Sequence, residues 1–144
     1  MSALYADTSA LARVYLGDEL EWKPLETLLF ETDAFVATSE LSSVELARAV
    51  MAAERANRIE SAELLLETID QDLGTVIGLV RLQPEVVLPS ARRLVFEHRV
   101  RTLDALHLAV ALELRESEGA SGMAFVTRDF DQAAAAKALG FALL

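Results

Sequence analysis

Four acidic side chains, Asp7, Glu45, Asp104 and Asp129, stand in settings that suit chemistry. Asp7 closes the apolar run "LYAD", Asp129 lies two residues past "MAFVT", Glu45 sits in "SSVELARAV" and Asp104 in "RTLDALHLAVAL". If the fold gathers them, their repulsion must be relieved by a proton or a cation. Hard carboxylate oxygens, in a chain with no cysteine and two histidines, select Mg2+ or Mn2+ over zinc. A divalent ion so held can activate water and stabilise the charge that develops at a phosphodiester during in-line attack. The chain has no G-x-S-x-G, no glycine-rich phosphate loop and no H-E-x-x-H. A phosphatase using Asp7 as nucleophile typically needs a second aspartate two residues later, where Ser9 stands.

Each acid also has a plain structural use. Asp7 can cap the helix that follows it, Ser42 with Glu45 has the capping-box spacing S-x-x-E, and Asp104 and Asp129 suit helix starts through the macrodipole. His107, three residues after Asp104, lies on the same side of a helix. It can orient a carboxylate, contact a phosphate, or be hydrogen-bonded in the core, the last being the commoner fate.

The elements decide whether the acids meet. Residues 3–7 read as a strand running into the helix "TSALARVYL", with Thr8 or Ser9 able to cap it. "WKPLETLLFET" reads as a second helix and "AFVAT" at 34–38 as a second strand. "SELSSVELARAVMAAERA", with Leu41, Val44, Leu46 and Val50 inward, and "IESAELLLETIDQDL" read as a helical hairpin. "TVIGLVRL" at 75–82 reads as a third strand, although the same run can extend a helix. Pro89 belongs in the first turn of a helix over "SARRLVFEH". Leu103, Leu106, Ala109, Val110 and Leu114 form an apolar stripe on the next helix. "MAFVT" is a fourth strand, "RDFDQAAAAKALG" a helix closed by Gly140, and "FALL" an edge strand. Strands alternating with helices imply a three-layer α/β/α sandwich around a mainly parallel sheet of four to five strands. Such sheets place their sites at the carboxyl ends of the strands, which is where Asp7 and Asp129 fall.

A length of 144 residues suits one domain, residues 1–144, and 53% hydrophobic content is enough for its core. No apolar run is long enough for a membrane span, and the start of the chain lacks a signal peptide's pattern, so a cytoplasmic protein is expected. The net charge of −10 argues against nucleic-acid binding by a broad basic surface, though not against a local basic groove. The arginines do cluster, at Arg48, Arg55 and Arg58 and again at Arg92, Arg93, Arg99 and Arg101.

Taken together, "ADTSAL" at 6–11, Glu45 in "SSVELARAV", "RTLDALHLAVAL" at 101–112 and "FVTRDFDQAAAAKALGF" at 125–141 resemble the PIN-domain nucleases. Within these the sequence is most similar to the small VapC-type toxins of toxin–antitoxin modules. The resemblance implies a PIN-like fold and a Mg2+- or Mn2+-dependent endoribonuclease with Asp7, Glu45, Asp104 and Asp129 as its acids. Asp7, Glu45 and Asp104 rank first as metal ligands, and Asp131 is the nearby substitute for Asp129. Thr8, Ser9 and Thr127 match supporting hydroxyls, and His107 joins them in support. Contacts to RNA phosphates fall to Arg48, Arg99, Arg101 and Arg128. The resemblance further implies a homodimer, an antitoxin whose basic C-terminal segment lies across the acidic groove, and a transfer or ribosomal RNA cut at a single-stranded loop. The competing reading is a catalytically weak PIN-fold binding module that docks a basic partner peptide in the acidic pocket.

Overall fold

In the computed structural model, which describes residues 2–119 and 122–144, strands and helices alternate along most of the chain. The strands are β1 (Ala3–Ala6), β2 (Phe35–Ser39), β3 (Gly78–Val80), β4 (Ala124–Val126) and β5 (Ala142–Leu143). The helices are α1 (Thr8–Leu16), α2 (Trp22–Phe30), α3 (Leu41–Arg55), α4 (Ala62–Asp72), α5 (Pro84–Glu97), α6 (Thr102–Ser117) and α7 (Phe130–Ala138). The strands form one parallel sheet in the order β3-β2-β1-β4-β5.

The two-residue period of a strand builds the layers. Leu4 and Ala6 of β1 point into a core shared with Leu11, Leu25, Leu46 and Ile69 of α1–α4. Tyr5, between them, points the other way, into a core shared with Val87, Leu94, Leu108 and Ala136 of α5–α7. This is the expected α/β/α sandwich. Because β1 is central, the chain leaves it for β2 on one side and returns to β4 on the other. A crevice opens at the carboxyl end of such a switch point.

Local expectations fail where tertiary context intervenes. α1 is capped by Asp7, whose Oδ2 accepts from the Ser9 amide, rather than by Thr8 or Ser9. The Ser42–Glu45 capping box does not form: α3 begins at Leu41 after Glu40, which places Ser42 inside the helix and buried. α5 begins at Pro84, so Pro89 lies within the helix, opposite the exposed first turn, where water can take the carbonyl that the proline leaves unpaired. The third strand shrinks to Gly78–Val80, because Gly74 at φ 92° turns the chain and Ile77 bridges back to Leu73. Val44 is 71% exposed and Leu103 46% exposed. Both sit in helix starts at the open carboxyl edge, and the buried side of α6 is instead built from Ala105, His107, Leu108, Ala109, Val110 and Ala111. Gly140 ends α7 as expected, at φ 91°.

Candidate active site

Asp7 is buried directly beyond β1, and its backbone amide donates to the Val126 carbonyl of β4 at 2.9 Å. Its carboxylate accepts from the Ser9 amide at 3.0 Å on Oδ2 and from Gln132 Nε2 at 3.2 Å on Oδ1. Both partners are donors, so each carboxylate oxygen is held in place.

A directional chain of bonds reaches Asp7 from the β4 side. The Arg128 amide donates to Ser9 Oγ at 2.9 Å, leaving the Ser9 hydroxyl to donate to Thr127 Oγ1 at 3.1 Å. Thr127 Oγ1 also accepts from the Asp129 amide at 3.0 Å, so its own proton goes to Gln132 Oε1 at 2.6 Å. That fixes which way the Gln132 amide points, with Nε2 toward Asp7 and toward the Asp104 carbonyl at 3.3 Å. Asp129 caps α7 by accepting from the Gln132 amide at 2.8 Å.

A second network holds Glu45. Its Oε1 lies 2.5 Å from His107 Nε2 and accepts from the Thr8 hydroxyl at 2.9 Å. The Ser42 hydroxyl sits between Thr8 and Thr38, at 2.9 and 2.7 Å, and Thr38 donates to the Ala6 carbonyl at 2.7 Å. Tyr5 closes the far side, its hydroxyl 2.8 Å from His107 Nδ1. Burial on its own pushes the His107 pKa down, but the Glu45 hydrogen bond and the charges of Asp7, Glu45 and Asp104 outweigh it and raise the value. Glu45 moves the other way: burial pushes it up, and the His107 bond and charge, with Thr8, bring it below the ordinary carboxylate value.

Asp104, in the first turn of α6, has no such support. Burial, then the charges of Asp129 and Asp7, raise its pKa against the pull of Arg101. Arg101 spans two acids, with Nε 3.5 Å from Asp104 and Nη2 3.4 Å from Asp129. All four carboxylates line one cleft of about 350 Å³, with Thr8, Ser9, Arg48, Arg101 and Leu103 on its walls.

No protein-family profile matches the chain. It is 33% identical over 143 residues to Ribonuclease VapC47 of Mycobacterium tuberculosis (strain CDC 1551 / Oshkosh), covering 96% of this chain and 93% of that protein. The chain belongs to the VapC family of PIN-domain proteins. Two solved structures share the fold. M. tuberculosis VapC20, a sarcin–ricin loop cleaving toxin, superposes with a TM-score of 0.65 at 18% identity, over 96% of this chain and 95% of that one. PAE2754 of Pyrobaculum aerophilum superposes with a TM-score of 0.65 at 19% identity, over 99% and 89%.

In this VapC-family chain the donor set suits a hard divalent cation. It offers carboxylate oxygens without thiolates, in a cleft whose negative charge is only partly matched by Arg101, as the raised pKa of Asp104 records. Among the described residues, however, no three Asp, Glu or His side chains are gathered closely enough to cage an ion as they stand.

Five expected residues do not line the cleft: Thr127 and His107 are buried behind it, and Arg99, Asp131 and Arg128 lie away from it. Arg99 is exposed beyond α5, and Asp131 points to solvent from α7. Arg128 lines an adjoining hollow instead. Conversely, Gln132, Tyr5 and Thr38 have no role in the sequence reading, and Ser42 has only a capping one. Gln132 carried a signal: it follows Asp129 by three, the spacing of a capping box, but its side chain turns inward to Asp7 and Thr127. Tyr5 carried a weaker one, since a phenol in a central strand needs a buried partner.

Proposed function

We propose that this chain is a Mg2+- or Mn2+-dependent endoribonuclease, the toxin of a toxin–antitoxin pair. The observation that carries the reading is the convergence of Asp7, Glu45, Asp104 and Asp129, from four separate elements, on one cleft at the switch point of the sheet. Burial, with the charges of Asp129 and Asp7 beside it, raises the Asp104 pKa, a cost that helix capping alone gives no reason to bear. The name of the M. tuberculosis relative and the description of VapC20 support RNA as the substrate, and a transfer or ribosomal RNA is the class this reading takes.

In this mechanism Asp7, Glu45 and Asp104 would hold the metal ion, and Asp129 would complete the negative site. When bound, the ion supplies Lewis-acid stabilisation of the phosphate and lowers the pKa of water. The protein's own part is orientation. Ser9 and Gln132 orient Asp7, while Thr8 and His107 hold Glu45. Thr127 acts through Gln132, and Arg48 and Arg101 on the cleft wall meet RNA phosphates.

The same cleft accommodates a basic segment of an antitoxin. Arg101 already sets a guanidinium between Asp104 and Asp129, which also supports the second reading, a docking pocket with little catalysis. Leu88, Val95 and Phe96 are exposed apolar side chains at helical spacing on α5 and suit pairing of two copies. Among the described residues no helix is long and apolar enough to cross a membrane, and a cytoplasmic site of action fits an RNA substrate.

Incubation of the protein with RNA and Mg2+, with and without chelator, beside Asp7→Asn and Asp104→Asn, tests the proposal. Cleavage should require the metal and be lost in both variants. Cleavage that survives both substitutions overturns it. A tight complex with a basic-tailed partner, without metal-dependent heat stabilisation, favours the docking pocket instead.

A further inference from the structure

We propose that Arg128 forms a second phosphate subsite beside the acidic cleft, taking an RNA phosphate next to the one attacked. The proposal rests on the ribonuclease reading and extends it to the path of the strand.

A polyanion approaching four carboxylates, on a chain of net charge −10, needs cations close by. An arginine already paired with an acid must give up that pair to meet a phosphate. Arg101 is engaged by Asp104 and Asp129, and Arg13 Nη2 lies 2.8 Å from Glu19. Of the four arginines that line the cleft and the adjoining hollow, Arg48 and Arg128 have no carboxylate partner among the described residues.

Arg128 is the less satisfied of the two. Its Nη1 donates to the Thr127 carbonyl at 3.0 Å, while its Nε is sealed from solvent and has no acceptor. Burying a donor without a partner is a cost to the fold. A phosphate that draws the guanidinium outward removes that cost and matches its planar fork with two oxygens.

There is room for this. Arg128 lines a hollow of about 270 Å³ with Arg13 and Glu19, and the hollow shares Ser9, Ala12 and Asp129 with the acidic cleft. Glu19 is answered by Arg13 and by Arg58 at 3.5 Å, so it does not leave the hollow negative.

Topology sets the direction. β1, which carries Asp7, lies between β2 and β4; Arg48 is on the helix after β2, and Arg128 directly follows β4. The two free guanidinium groups thus flank the acids. A single strand crosses the end of β1 with one phosphate at Arg48, the next over the acids and another at Arg128.

Fluorescence anisotropy tests the subsite, using a labelled single-stranded RNA of about a dozen nucleotides, millimolar Mg2+ and a salt series. The Asp7→Asn background prevents cleavage. Arg128→Met should weaken binding about three- to ten-fold and reduce the salt slope by about 0.7, the increment for one phosphate contact on a single strand. Arg128→Lys should keep the slope while losing part of the affinity, and Lys137→Met, at the far end of α7, should match its parent. Unchanged affinity and slope in Arg128→Met, beside weakened binding in Arg48→Met, overturn the subsite. So does a poly-aspartate peptide that competes as well as RNA of equal charge. Failure of the wild-type protein to cleave any RNA in Mg2+ is a separate result, which overturns the ribonuclease reading and the subsite with it.

Discussion

His107 Nε2 lies 2.5 Å from Oε1 of Glu45 and 3.7 Å from Oδ1 of Asp7, so one buried imidazole faces two of the converging acids. Its side chain is 1% exposed, with Tyr5 on the opposite nitrogen, so the ring cannot turn away. It lies behind the carboxylates, buried between Tyr5 and Glu45.

This pair makes stability depend on pH in a defined window. His107 has a raised folded pKa, so its contribution is full below its unfolded pKa of about 6.5 and is lost as pH rises through the folded value. Glu45 has a lowered folded pKa, so its contribution is present above about 4.3 and is lost as pH falls through the folded value. Metal-free urea unfolding of the wild type and Glu45→Gln should therefore differ most between about pH 4.3 and 6.5, by about 2 kcal/mol. The difference should shrink above that range. A gap that widens steadily with pH rules out the charged pair.

Asp104→Asn should trade function for stability. The ionised Asp104 is disfavoured in the folded state by burial and by Asp129 and Asp7, so the neutral amide should leave metal-free Tm at pH 7 unchanged or higher. Ribonuclease activity should fall by about 100-fold or more, on the scale of lost charge stabilisation. A variant that melts lower yet cleaves normally contradicts both halves.

Asp7 carries a cap as well as a charge. Asp7→Ala should lose about 1 kcal/mol by leaving the Ser9 amide without its acceptor, with a further cost from the unpaired Gln132 amide. Asp7→Asn, which keeps an oxygen for Ser9, should lose less. Titration with Mn2+ followed by thermal unfolding should raise the Tm of the wild type and raise that of Asp7→Asn much less. Equal shifts in the two proteins place the ion elsewhere.

Gln132→Leu tests the bond chain from β4. It preserves side-chain volume but removes the donor to Asp7 and the acceptor of Thr127, both buried. The expected loss is about 2 kcal/mol of unfolding free energy, together with weaker Mn2+ binding by calorimetry. Gln132→Met with wild-type Mn2+ affinity shows that the amide serves packing alone.

Much of the fold was legible because each element carries its own periodicity. The alternating apolar residues of "LYA" and "AFV", the turn at Gly140 and the order of strands and helices define a parallel sheet without reference to distant contacts. The placing of the acids was legible for the same reason, since Asp7 directly follows β1, Asp129 lies three residues past β4 and Asp104 is in the first turn of α6. Expectations failed at Val44, Leu103 and Ser42, where helix phase alone says nothing of what lies opposite. Val44 and Leu103 meet the open edge of the sheet, while Ser42 meets Thr8 and Thr38.

The sequence by itself determined which residues could bind a cation and on which edge they would lie, because residue type and strand order follow from local pattern. The tertiary structure alone decided how the acids differ. Gln132 reaches Asp7, and His107 and Thr8 reach Glu45, through contacts between residues far apart in the chain, whereas the ion pair of Asp104 is with Arg101, three residues before it. Hydrogen bonding and burial depend on those through-space neighbours, which is why Glu45 is driven toward its ionised form and Asp104 away from it.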